Sequence, residues 1–134
     1  NAVFPDCIFV HIIRDGRHTT ASLMARGVWL PFAPHQWVQA HRTALPDLER
    51  LPAERVVHVR YEELTTEPGH VLPEIWRRCG LRCSGEDVSA ALRSACAQVE
   101  AVDDRWSHLP KWKRRYINSV IRELQAELGY PVEE

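Results

Sequence analysis

Cys7-Ile8-Phe9-Val10-His11-Ile12-Ile13-Arg14-Asp15-Gly16-Arg17-His18-Thr19-Thr20-Ala21-Ser22 is the stretch on which the fold turns. Ile8 to Ile13 is a continuous β-branched and aromatic run, the pattern of a strand buried on both faces. Arg14-Asp15-Gly16 breaks it with turn chemistry, and a helix is expected from about Arg17 to Arg26, ended by Gly27. The sequence then repeats this grammar. Trp29 to Pro34 reads as an ordered loop. His35 to about Arg50 reads as a second helix with Trp37, Ala40, Ala44 and Leu48 on one stripe, kinked or shortened by Pro46.

Arg55 to Tyr61 is a second valine-rich strand, and Thr65 to Gly69 is a turn leading into a helix that carries Val71, Leu72, Ile75 and Trp76 and stops near Gly80. Ser84, with Asp87 three residues on, marks the start of a helix from Gly85 to about Val99. Lys111 to Leu128 is the last helix, with Ile117, Val120, Ile121, Leu124 and Leu128 at helical spacing and Gly129 closing it. Buried-type strands separated by pairs of helices specify an α/β fold, a parallel sheet with flanking helices. Two strands alone do not make such a sheet. The chain also opens at Asn1, close to a dense apolar run. Both features lead to the expectation of a single partial domain over residues 1–134, incomplete at its amino terminus.

Composition removes several function classes. The 17 Lys+Arg nearly balance the 18 Asp+Glu, so no overall field favours nucleic acid or an anionic membrane. No apolar run approaches the roughly 18 residues of a membrane span. The basic and aromatic cluster Lys111-Trp112-Lys113-Arg114-Arg115-Tyr116 reads as the solvated face of the last helix, and no nucleic-acid partner is expected. Cys7, Cys79, Cys83 and Cys96 form no disulfide framework, and neither they nor the seven histidines show metal-ligand spacing. Reduced thiols and no metal are expected.

The chemistry concentrates where the first strand ends. In open α/β sheets ligands sit at the carboxyl ends of strands, against helix amino termini. Arg14 arrives at that location, followed by a helix start bearing His18, Thr19, Thr20 and Ser22. A guanidinium beside helix-terminal N–H groups and hydroxyls can bind a phosphate without a glycine-rich loop. The competing reading makes Arg14 a sheet-edge cap and Ser22 a small helix residue. Gly16 would permit close backbone approach to an anion. Arg17 is a weaker anion ligand, otherwise an exposed first-turn side chain.

The segment Ile8 to Ser22 resembles the 3′-phosphate-binding segment of sulfotransferases that use 3′-phosphoadenosine-5′-phosphosulfate (PAPS): a strand ending in Arg, then Asn or Asp, with a Ser eight residues after the Arg. Arg55-Val56-Val57-His58-Val59-Arg60-Tyr61-Glu62-Glu63-Leu64, followed by Glu67-Pro68, is similar to the family's "RYEDL…DP" stretch. Leu81 after Gly80 is similar to its "lGl". Arg105-Trp106, Leu109 and the closing Leu128-Gly129-Tyr130 are similar to its "RW…L…LGY" ending. The likeness runs in the family's order from about Cys7 to Tyr130.

The resemblance implies a P-loop NTPase-like sulfotransferase fold and PAPS as sulfuryl donor to a hydroxyl or amine acceptor, whether carbohydrate, small molecule, lipid or protein. It implies that Arg14 and Ser22 bind the 3′-phosphate, that Tyr61 lies near the adenine, and that Arg105 folds over the nucleotide phosphates. Tyr61 otherwise ties its strand to the next turn, and Arg105 is otherwise a solvated neighbour of a core Trp106. The sequence departs from the family at Gly16, where Pro is usual, and at His18, where Asp is frequent, which leaves Asp15 as the helix's amino-terminal carboxylate. The family's 5′-phosphosulfate loop, a strand–loop–helix with Lys, Gly and Ser/Thr, is not found in the 134 residues. The expectation is an enzyme as the intact protein and a chain that alone is inactive. The alternative is a non-catalytic remnant or interaction module on the same scaffold. His35 and His41 are possible bases, but no catalytic residue is assigned. An Arg- and Ala-rich composition points to a bacterial, cytoplasmic protein, or a Golgi-membrane one should an upstream anchor exist.

Overall fold

The computed structural model describes residues 6–81, 86–98 and 104–132. The chain runs β1 (Phe9–Ile13), α1 (Gly16–Ala25), α2 (Ala33–Glu49), a short 3₁₀ turn (Ala53–Arg55), β2 (Val56–Arg60), α3 (Tyr61–Thr66), α4 (Pro68–Arg78), α5 (Glu86–Gln98) and α6 (Lys111–Glu127). This is a mixed α/β fold: β1 and β2 pair in parallel, with Phe9 opposite Val56 and Ile13 opposite Arg60, and helices make up the rest. Parallel strands need a long crossover, and α1 with α2 supplies it. Among the described residues no helix is long and apolar enough to cross a membrane.

The chain divides into two compact units, Asn1–Ile13 with Leu48–Val102, and Arg14–Asp47 with Asp103–Glu134. The first unit holds the sheet. Val56, Val57 and Val59 of β2 are buried. The Arg78 guanidinium on α4 donates to the carbonyls of Ala53 and Val56, each at 3.1 Å, and closes the turn that feeds β2. Arg55 Nε donates to the Cys7 carbonyl at 3.1 Å and ties the chain entering β1 to the residue before β2. The strand expected to be buried on both faces is not β1. Its Phe9, Val10 and Ile12 are 36%, 39% and 49% exposed, because among the described residues β1 has a neighbour along one edge only.

The second unit packs α1, α2 and α6 around Trp37, Trp106, Ile117, Ile121 and Leu124, with Met24, Leu30, Val38, Leu45, Leu109 and Leu128 against them. The expected stripe on α6 is the buried one at Ile117, Ile121 and Leu124, and it also contains Gln125. On α2 the buried positions are Ala33, Pro34, Trp37 and His41, the last two one turn apart, whereas Ala40 is exposed. Pro46 neither ends nor shortens α2, which runs on to Glu49. Pro46 is exposed, so the helical acceptor that it leaves without an N–H, the carbonyl of the exposed Arg42, lies on the solvent side. The helix α3 was not anticipated: Glu62 and Glu63 favour its amino-terminal dipole, and Thr65 and Thr66 hydroxyls donate to the Glu62 carbonyl. Gly27 ends the α1 region with φ +93°, a conformation that glycine adopts without steric cost. Cys7, Cys79 and Cys96 are free thiols. Ser84 and Cys83 lie outside the described residues.

Candidate functional site

Asp15 caps α1: its Oδ1 accepts the Arg17 backbone N–H at 2.8 Å. The Arg17 guanidinium folds back onto the same carboxylate, Nε at 3.1 Å from each oxygen and Nη2 at 2.6 Å from Oδ2. Both residues are buried, at 4% and 8% exposure. Burial by itself would raise the Asp15 carboxyl, but the hydrogen bonds of the Arg17 side chain, the nearby Gln125 amide, the Arg17 backbone N–H and the guanidinium's charge outweigh it and hold the group below its ordinary range, although Gln125 Nε2 stops short of a hydrogen bond. Arg17 is therefore not an exposed side chain. Its charge is spent on Asp15, the only carboxylate at the start of α1.

Gly16 has a different role from the one its position suggests. A β-carbon there would lie 3.0 Å from Gln125 Oε1, 3.0 Å from Trp37 Cε3 and 3.1 Å from Ile121 Cδ1. The missing side chain makes room for α2 and α6, not for an anion. Its N–H is also occupied, donating to Gln125 Oε1 at 3.0 Å. Thus the first two N–H groups of α1 are satisfied within the protein, by Gln125 and Asp15. An anion at this end must rely on side chains more than on the helix terminus.

Arg14 leaves the carboxyl end of β1 half-buried, and its carbonyl accepts the Trp37 indole N–H at 3.1 Å. Ser22, also half-buried, is the seventh residue of α1, about 9 Å along the axis from Gly16. His18 stands one turn before Ser22 on the same face, and its Nδ1 is enclosed with no hydrogen-bond partner. The segment bearing Arg105 approaches this side of α1. Asp104 is held below its usual range first by hydrogen bonds from the Ser107 hydroxyl and backbone, with His18 adding an attractive charge. Arg105 itself is exposed, and its neighbour Trp106 is buried in the core. Arg14, Ser22 and Arg105 thus belong to one compact unit. Tyr61 belongs to the other, half-buried as the first residue of α3 directly after β2.

His41 is packed edge-on against Trp37, ring centroids 4.9 Å apart, whereas His35 is exposed. Among the described residues no group of three or more His, Cys, Asp or Glu side chains could hold a metal ion. Two residues with a hold on the site were not legible as such in the sequence: Trp37 reads there only as part of the α2 stripe, and Gln125 is not singled out. Gln125 left one signal there: it is a polar residue one turn after Ile121, in the apolar stripe of α6.

The sequence model of a family described as the sulfotransferase family matches residues 1–85. None of the curated proteins matches the chain. Among solved structures, a sulfotransferase domain from the curacin biosynthetic pathway is similar in fold, with a TM-score of 0.59 at 14% identity. The match covers 98% of this chain and 56% of that one, so the chain spans little more than half the length of its structural relative.

Proposed function

The chain belongs to the sulfotransferase family, and from that premise we propose that it supplies the 3′-phosphate side of a PAPS site in a protein that transfers a sulfuryl group to a hydroxyl or amine acceptor. The observation that carries this reading is the placement of Arg14 at the carboxyl end of β1, with Ser22 under two turns into the helix that follows. A guanidinium can meet two phosphate oxygens at once, and the serine hydroxyl adds a neutral donor. Arg105, next to Asp104 in the chain, lies in the same unit and is assigned to the nucleotide phosphates by family likeness. Tyr61 is assigned to the adenine by family likeness.

In sulfuryl transfer the acceptor oxygen or nitrogen forms a bond to sulfur as the bond from sulfur to the bridging phosphate oxygen breaks. The acceptor's proton passes to a base, and 3′,5′-ADP leaves with the negative charge. Most of the acceleration comes from position and from cationic cover of the leaving phosphate. Arg14 and Ser22 serve the first requirement by anchoring the nucleotide at the end remote from sulfur. The 134 residues contain no GxxxxGK[ST] loop to provide the second. We therefore assign the 5′-phosphosulfate contacts to residues outside this chain, assign no base, and expect nucleotide binding without turnover from the chain alone.

Calorimetric titration of the folded chain with 3′,5′-ADP, with 5′-AMP as control, tests the reading. A charge-assisted bond to phosphate contributes about 1.5–3 kcal/mol, so Arg14→Ala should weaken 3′,5′-ADP binding by at least about tenfold. Equal affinity for the two nucleotides, or an unaffected Arg14→Ala variant, would leave a non-catalytic scaffold as the better description.

A further inference from the structure

Two buried side chains from distant parts of the chain hold the backbone on either side of Asp15. Trp37, on α2, donates its indole N–H to the Arg14 carbonyl at 3.1 Å. Gln125, on α6 and 109 residues away, accepts the Gly16 N–H at 3.0 Å. Between these two contacts lies one residue, and its carboxylate is itself locked onto Arg17. We infer that Trp37 and Gln125 are positioning residues for the anion site: they fix the turn at residues 14–16 and so set the aim of the Arg14 side chain within its own unit. This inference rests on the reading that Arg14 binds a nucleotide 3′-phosphate.

The physical argument begins with the cost of Gln125. It is 1% exposed and packed beside Ile121 and Leu124, where Leu or Met would fill similar space without a buried amide. Its Nε2 lies near enough to Asp15 to help hold that carboxyl down, yet completes no hydrogen bond of its own. A half-satisfied buried amide is a poor choice for core stability. What it offers, and an apolar residue cannot, is an uncharged acceptor for the Gly16 N–H. A carboxylate would accept the same proton but place a second negative charge beside Asp15, at the end of the helix where an anion is to bind.

Trp37 complements it. Its ring fills the core of the unit while its one polar atom reaches the Arg14 carbonyl. With both neighbouring backbone groups pinned, less ordering of the turn remains to be done when a phosphate arrives. The closed amino terminus of α1 supports the same conclusion. Since its first two N–H groups are used internally, anion binding depends on the aim of Arg14 and Ser22, and aim depends on the turn.

The test compares 3′,5′-ADP with its isomer 2′,5′-ADP, which carries the same charges with one phosphate moved. Affinities are measured for the wild-type chain, Gln125→Met and Trp37→Phe, with circular dichroism reporting the folded fraction. The expected result is a preference for the 3′ isomer in the wild type that shrinks about threefold to tenfold in each variant, the range set by loss of one neutral hydrogen bond. A merely structural role would lower both affinities together, through the folded fraction, and keep their ratio. A wild-type chain without isomer preference overturns the 3′-phosphate reading itself. A wild-type preference that both variants retain overturns only the positioning role. Trp37→Phe keeps an aromatic ring in the core, so it decides alone if Gln125→Met does not fold.

Discussion

Gly16 illustrates how a single position can invert an expectation based on local propensity. Alanine is favoured over glycine in a helix by about 1 kcal/mol, and Gly16 has no positive φ to protect. A β-carbon there would nevertheless press on Trp37 and Gln125 at 3.0 Å and on Ile121 at 3.1 Å, side chains too deeply buried to retreat. Gly16→Ala should therefore destabilise the chain by about 1–3 kcal/mol, the usual cost of overpacking. Thermal melts followed by circular dichroism check this, and an unchanged or raised melting temperature would refute it. The neighbouring Arg17 shows the same limit of local reading. A first-turn arginine is outward-facing by default, and only the buried Asp15 carboxylate draws it inward.

At the scale of elements, β1 and β2 are joined by more than their backbone ladder. His11 and His58 face each other in register, Nδ1 to Nδ1 at 3.2 Å with rings at 73°. One ring must donate and the other accept, so the pair tolerates a single proton on the shared edge and opposes a second. Partial burial first, and the His58 charge second, lower the His11 value from 6.5. The sign follows from linkage: the unfolded chain binds the proton more readily, so this contribution to stability is present above about pH 6.5 and is lost as pH falls through the depressed folded value. Denaturant midpoints should fall between pH 7 and pH 5, and His58→Gln should flatten that dependence. An unaltered pH profile in the variant would show that the pair does not control it. The helix boundaries are the part of this scale most legible in the sequence. α1 and α6 each stop two residues before the glycine read as their end, Gly27 and Gly129, and α1 starts directly after Asp15, because such signals act over one turn. The burial of β1 was not legible. An apolar run shows that a strand seeks cover, not whether neighbours provide it.

For the whole molecule, the consequence is an apolar strand that has one open edge among the described residues. Val10 and Ile12 share a face of β1, at 39% and 49% exposure, and among the described residues only β2 pairs with that strand. An apolar edge of this kind is a template for pairing with another chain. The 134-residue chain should self-associate with rising concentration in light scattering, and Ile12→Lys should suppress the effect with little change in melting temperature. Scattering that stays monomeric across concentrations would argue that the twist or the sheet's surroundings already block the edge.

The sequence by itself determined the strand-to-helix handover, the placement of Arg14 and Ser22 on it, the apolar stripe of α6 and the family to which these belong. Those features depend on side-chain periodicity and on turn and cap chemistry, which are decided within a few residues. Tertiary structure alone decided that Gln125 closes the start of α1, that Trp37 holds Arg14 by its carbonyl, and that Gly16 yields its space to α2 and α6. Each of these joins residues far apart in the chain. Which face of one helix meets which residue of another is set by the packing of a shared core, and no local pattern encodes it.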